Sequence, residues 1–103
     1  MISDYNNARV RRVDHTTHII TTVAGSGNNN YSGDGGPAVS AGMAPMRVYL
    51  NGAGDLYILD SFNEVDRVRK VDHVTQVITT VAGTGVTWST LRTRSTSLKL
   101  SRM

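Results

Sequence analysis

The sequence predicts an all-β repeat protein made of short antiparallel strands. The segments Ser3 to Gly27 and Ser61 to Gly85 align without a gap, 58 residues apart, and are identical at 15 of 25 positions. Repeats of this length mark solenoids, propellers or arrays. The readable segments also alternate with period two and are rich in β-branched residues, and turn residues separate them.

The later copy gives the strand order. The apolar run at Val48 to Leu50 is followed by Asn51-Gly52-Ala53-Gly54-Asp55, whose glycines can take positive φ in a short reversal. Next comes Leu56-Tyr57-Ile58-Leu59-Asp60, with Leu56, Ile58 and Asp60 on one face and Tyr57 and Leu59 on the other, the pattern of a strand covered on both sides. A third strand over Arg67 to Val71 is separated by Asp72-His73-Val74-Thr75 from Gln76 to Ala82, and Asp72 is placed to accept backbone amides two residues on. The expected strands cover about 46–51, 55–60, 66–72 and 76–82, a four-stranded meander. The earlier copy holds three: Ile2 to Asp4, Arg9 to Asp14 and His18 to Ala24, with no counterpart of the first strand.

Between the two sets runs a segment from Gly25 to Pro45 with six glycines and both prolines of the chain. A connector of that length in a compact domain is functional or packs on itself. Its centre is Tyr31-Ser32-Gly33-Asp34-Gly35-Gly36-Pro37-Ala38.

Taken together, the strings at Leu56 to Asp60, Arg67 to Asp72, Ile78 to Gly83 and Tyr31 to Ala38 resemble those of the NHL-repeat family, and the resemblance covers nearly all of residues 2–85. It implies blades of a six-bladed β-propeller, each a four-stranded antiparallel meander, with the glycine-rich segment running between blades. One complete blade and one partial blade are expected, so a single chain does not close a propeller. The implied organisation is a partial three-stranded blade over 1–24, an inter-blade loop over 25–45, a complete blade over 46–85 and a degenerate basic, Ser/Thr-rich tail over 86–103.

The chain departs from the family pattern in three places. Glu64-Val65-Asp66 before Arg67 suggests a bulged or longer connection after the second strand, and Arg47 replaces a common glycine, so distortion is expected where the complete blade begins. In the tail, Trp88-Ser89 aligns with Tyr31-Ser32, but Thr90, Arg92 and Thr93 stand where Gly33, Gly35 and Gly36 stood. A mobile or alternatively folded end is expected there.

The net charge of +3 is unevenly placed. Residues up to Gly85 carry seven basic and eight acidic groups, and the excess lies in Arg92, Arg94, Lys99 and Arg102. With no cysteine, disulfides, thiolate zinc sites and cysteine nucleophiles are excluded. The start has neither a basic n-region nor an apolar h-region, and nowhere do 18 apolar residues run together, so a soluble chain without an export signal or membrane contact is expected. The compartment is not specified.

Each candidate site has a structural counter-reading. Asp34 beside glycine carbonyls offers hard oxygen ligands, yet calcium gathers six to eight oxygens, and closing a tight turn is the favoured role. His15 and His73 occupy equivalent turns and His18 starts the next strand, but no third ligand is evident and surface turn histidines are expected. Arg9, Arg11 and Arg12 repeat as Arg67, Arg69 and Lys70, and would line one rim of a ring. Salt bridges with the nearby Asp14, Asp60, Asp66 and Asp72 are favoured over RNA recognition there, since few aromatics are present for base stacking. Met43, Met46, Val48 and Leu50 read as core-facing or inter-blade residues. No nucleophile elbow, phosphate loop or catalytic acid pair is found, and no helix follows Gly25-Ser26-Gly27 or Gly83-Thr84-Gly85.

The expectation is therefore a non-enzymatic interaction scaffold without catalytic residues, metal or cofactor, binding a protein partner or further copies of itself through exposed first and last strand edges. Arg9, Arg11, Arg12, Tyr31, Asp34, Arg67, Arg69 and Lys70 are its candidate contact residues. The alternatives are nucleic-acid or anion binding through rim and tail, part of a metal-dependent propeller enzyme such as a lyase or lactonase, or a truncated product without function.

Overall fold

The computed structural model describes residues 1–62 and 65–83. They form two antiparallel sheets joined by the glycine-rich segment. The first has the order β1 (Ile2–Asp4), β2 (Arg9–Val13), β3 (Ile20–Ala24); the second has β4 (Pro45–Leu50), β5 (Leu56–Phe62), β6 (Val65–Val71), β7 (Ile78–Ala82). Two short 3₁₀ turns, Tyr5–Asn7 and Ala38–Ser40, complete the regular structure.

The duplication is obeyed down to individual atoms. Asp14 Oδ1 accepts the amides of Thr16 and Thr17 at 2.8 and 2.9 Å, and Asp72 Oδ1 accepts those of Val74 and Thr75 at the same distances. Each turn ends on a residue in the left-handed region, His18 at φ 61° and Gln76 at φ 62°. That conformation delays β3 and β7 to Ile20 and Ile78, so the strands expected from His18 and Gln76 begin two residues later. The β2–β3 and β6–β7 pairs also slip register at equivalent places, between Val10 and Arg11 and between Val68 and Arg69, leaving Val23 and Val81 as the extra residues of a bulge.

The departures from the family pattern resolve differently. β5 and β6 pair without a shift from Leu56–Val71 to Phe62–Val65, so the extra residues lengthen two strands; the connection at 63–64 lies outside the described residues. In the first sheet the same stretch folds into the Tyr5–Asn7 turn. At β4 the register does shift, between Pro45 and Arg47. The expectation for the tail at 86–103 also falls outside the described residues.

One core serves both sheets and the segment between them. Val10 and Ala24 come from the first sheet, Ala38, Ala41 and Met43 from the connecting segment, and Leu56, Ile58, Val71 and Ile78 from the second. Neither sheet alone buries a complete apolar face, so the units expected at 1–24 and 46–85 are packed through their connector. Of the four residues expected to face the core or the neighbouring unit, Met43 is buried and Val48 packs against the cluster, but Met46 and Leu50 are exposed, because the bulge and the edge position of β4 leave them uncovered.

Gly25 and Gly83 close the two copies at φ 96° and 75°. A Cβ at Gly25 would collide with the carbonyl oxygen of Ala8, and one at Gly83 would lie 2.6 Å from that of Asp66. Substituting either by Ala adds backbone strain to a steric clash, and Gly25→Ala is expected to lower stability by about 1–3 kcal/mol, read as a lower denaturant midpoint at unchanged slope.

Candidate functional site

The glycine-rich segment folds back onto the second sheet, where it does two things. Its residues 35–38 run along the outer edge of β7: Gly35 N–H donates to Ile78 O at 2.7 Å, Ile78 N–H to Gly36 O at 3.0 Å and Ala38 N–H to Gln76 O at 2.9 Å. Its residues 31–34 reach over the face of β6 and enclose Arg69.

Arg69 has no exposed surface and uses all five N–H donors of its guanidinium. Nε and Nη2 donate to Asp34 Oδ1 at 3.2 and 2.9 Å, and Nη2 also to Ser32 O at 2.8 Å. Nη1 donates to Gly42 O at 2.7 Å and to Asp60 Oδ2 at 3.1 Å. The carboxylates are equally occupied. Asp60 Oδ1 accepts the Ala44 amide at 2.8 Å, and Asp34 Oδ2 accepts the Tyr31 hydroxyl at 2.8 Å and the Thr80 amide at 3.0 Å. The Tyr31 ring lies under two cations, 3.7 Å from the Arg67 guanidinium carbon and 4.7 Å from that of Arg69.

Period two explains why β6 presents this pair: Arg67 and Arg69 are two apart and share a face. The same rule puts Asp60 on the buried side of β5 with Leu56 and Ile58. Gly33 to Gly36 close the expected tight turn, Gly36 N–H donating to Gly33 O at 3.0 Å, and Asp34 within it is also a tertiary clasp between segment and sheet, because its carboxylate faces β6 and β7.

Of the eight candidate residues, Tyr31, Asp34, Arg67 and Arg69 are brought together here. The others stand apart. Arg9 donates to Asn7 O and Ser26 O, both at 3.2 Å, and Arg12 is exposed. Lys70 pairs with Asp55 at 3.8 Å. Arg11 is half-buried, and its Nε is buried with no hydrogen-bond partner among the described residues. Asp60, one of the acids expected to pair with the basic stripe, does pair with Arg69 at 3.1 Å, whereas sequence reasoning missed Ser32, Gly42 and Thr80 as members of the clasp. The signal for Asp60 was a carboxylate on an otherwise apolar strand face; the other three carried none.

Asp55, Asp72 and His73 hold the one group of three such side chains with metal-ligand spacing among the described residues, their ligand atoms within 4.8 Å of one another. Turn structure accounts for the gathering: His73 meets Asp55 Oδ1 through its backbone amide at 3.0 Å and Nδ1 at 2.9 Å, while Asp72 caps its own turn. The first copy lacks a counterpart of Asp55, and His15 and His18 are exposed. A surface depression of about 540 Å³ beside Tyr5, Asn6, Ser26 and Asn28 has no carboxylate, histidine or basic side chain in its lining.

Comparison with protein-family models, curated proteins and solved structures finds no match. The arrangement itself holds a loop on a sheet: all five Arg69 N–H donors and the carboxylates of Asp34 and Asp60 are engaged, while Arg67 stacks on Tyr31 with its buried Nε unpartnered among the described residues.

Removing one partner of a buried ion pair strands the other, so Arg69→Ala is expected to cost about 3–5 kcal/mol, and Asp34→Ala less, since Asp60 still faces the guanidinium. Limited proteolysis checks the mechanism: cleavage within 28–42 should rise for Asp34→Ala before global unfolding does.

The acid limb follows from the carboxylates. Burial opposes ionisation of Asp34, but hydrogen bonds from Thr80, Tyr31 and Arg69 outweigh it and hold its pKa below the ordinary 3.8. Hydrogen bonds from the His73 side chain and amide lower Asp55 to about 2. Depressed folded values mean that this stability is fully present above the unfolded pKa and is lost as pH falls through the folded one. Stability should decline as pH falls from about 4 toward 2, and Asp55→Asn should flatten that decline in denaturant titrations at each pH.

Proposed function

We propose that the chain is a segment of an NHL-type β-propeller acting as a non-enzymatic interaction scaffold, its second sheet one blade and its first sheet part of another, and that it associates with further copies of itself or with a protein partner. The resemblance of the strings at Leu56 to Asp60, Arg67 to Asp72 and Tyr31 to Ala38 supports the family and the blade assignment.

The observation that carries association is the contrast between equivalent outer strands. β7 is covered along Gln76 to Thr80 by the chain's own segment, whereas β3 is an edge whose Ile19 and Ile20 are 60% and 46% exposed. Of the two terminal edges expected to recruit partners, the last is therefore already occupied over that length. An unpaired edge flanked by large apolar side chains is a template for another strand or segment. Three copies, each giving nearly two blades, would approximate a six-bladed ring.

Arg69 enclosed by two aspartates and Arg67 stacked on Tyr31 are committed to the fold, which favours the scaffold over nucleic-acid binding through a basic rim.

Light scattering across a concentration series should give a mass above the 11.2 kDa of one chain, and the denaturant midpoint should rise with protein concentration. A monodisperse monomer with a concentration-independent cooperative transition would overturn association.

A further inference from the structure

We propose that the open edge of β3, with Arg11 beside it, is a docking site for a glycine-rich segment carrying a tyrosine and, three residues on, an aspartate followed by two glycines, presented by another polypeptide. This deepens the scaffold reading and rests on it for the identity of the face used.

The molecule contains its own occupied version of the site. Arg11, Thr22 and Ile20 stand 58 residues before Arg69, Thr80 and Ile78, in the same register: Arg11 faces Thr22 as Arg69 faces Thr80, and Val13 faces Ile20 as Val71 faces Ile78. In the second sheet the outward N–H and C=O of Ile78 and the N–H of Thr80 are taken by Gly36, Gly35 and Asp34. The same register turns the corresponding groups of Ile20 and Thr22 away from β2, and no partner meets them among the described residues.

The side chains repeat the contrast. Ile78 is fully buried under the segment, and Ile20 is 46% exposed. Arg69 has all its donors engaged; Arg11 Nε is buried and unpartnered, and Arg11 makes no ion pair among the described residues. A buried guanidinium donor without an acceptor is a destabilising feature that an incoming carboxylate and carbonyls would satisfy. One difference sharpens the expectation: the counterpart of Asp60 in the sheet register is Asp4, whose two carboxylate oxygens accept from Asn7 Nδ2 at 3.0 Å and which makes no ion pair with Arg11 among the described residues, so the aspartate of the docked segment would be the main counter-charge. Extended pairing on a sheet edge supplies affinity, and the arginine supplies selectivity for the acidic segment.

A labelled peptide of residues 28–44 titrated to about 1 mM against the full-length chain tests the site by fluorescence anisotropy. Saturable binding is expected, weakened about thirtyfold or more by Arg11→Met and by an Asp34→Asn change in the peptide. Binding unaffected by Arg11→Met, or none, overturns the proposal. Should that variant not fold, amide exchange of the unaltered protein decides: the peptide should slow exchange at Ile20 and Thr22, and slowing confined to Ile78 and Thr80 would show displacement of the chain's own segment and overturn it. Light scattering of the same samples separates the two ideas: association without peptide binding removes this site and leaves the scaffold, and peptide binding by a strict monomer does the reverse.

Discussion

Burying a guanidinium is the constraint around which the second sheet and its loop are arranged. A charge removed from water is tolerated only where its donors are matched and opposing charge is close. Arg69 meets that condition by gathering acceptors from three parts of the chain: Asp60 from the neighbouring strand, Asp34 and the Ser32 carbonyl from the tip of the connecting segment, and the Gly42 carbonyl from its return. A segment rich in glycine has high conformational entropy to lose, and apolar contact through Ala38 and Ala41 alone would leave its register loosely specified. The ion pair fixes which residue sits where. Buried pairs of this kind add little net stability over apolar packing of the same shape, so their contribution here is specificity.

The duplication supplies an internal comparison that most small proteins lack. Turn chemistry, bulge position, the left-handed residue after each turn and the closing glycine are shared by both copies, because all depend on residues within a single copy. Burial is not shared. Ile20 and Ile78 have the same backbone environment within their sheets but differ in exposure because, among the described residues, a remote segment lies on one and not the other. The clasp and the edge bonds of Gly35, Gly36 and Ala38 therefore account for the difference between a covered outer strand and an open one.

That difference bears on association. A sheet edge left beside exposed isoleucines recruits partners, and an edge occupied by the chain's own backbone is protected. The segment that links the sheets also completes their common core through Ala38, Ala41 and Met43, so it is as structural as the strands. Its aromatic and acidic residues, which suggest a binding loop when read singly, are directed inward onto β6 and β7.

By itself the sequence determined the all-β class, the three-plus-four strand order, the Asp72 turn and the shared face of Leu56, Ile58 and Asp60. Those features follow from local periodicity, side-chain-to-backbone hydrogen bonds and an alignment of the chain with itself. The tertiary structure alone decided that Asp34 is a clasp and, among the described residues, that Arg69 is enclosed while Arg11 Nε is left unpartnered and that β7 is covered while β3 is open. Arg69 and Asp34 are 35 residues apart, and the nearly identical strings around Arg11 and Arg69 carry no information about which will be covered. Electrostatic pairing and burial depend on what arrives from elsewhere in space, and period and propensity describe only the residues next door.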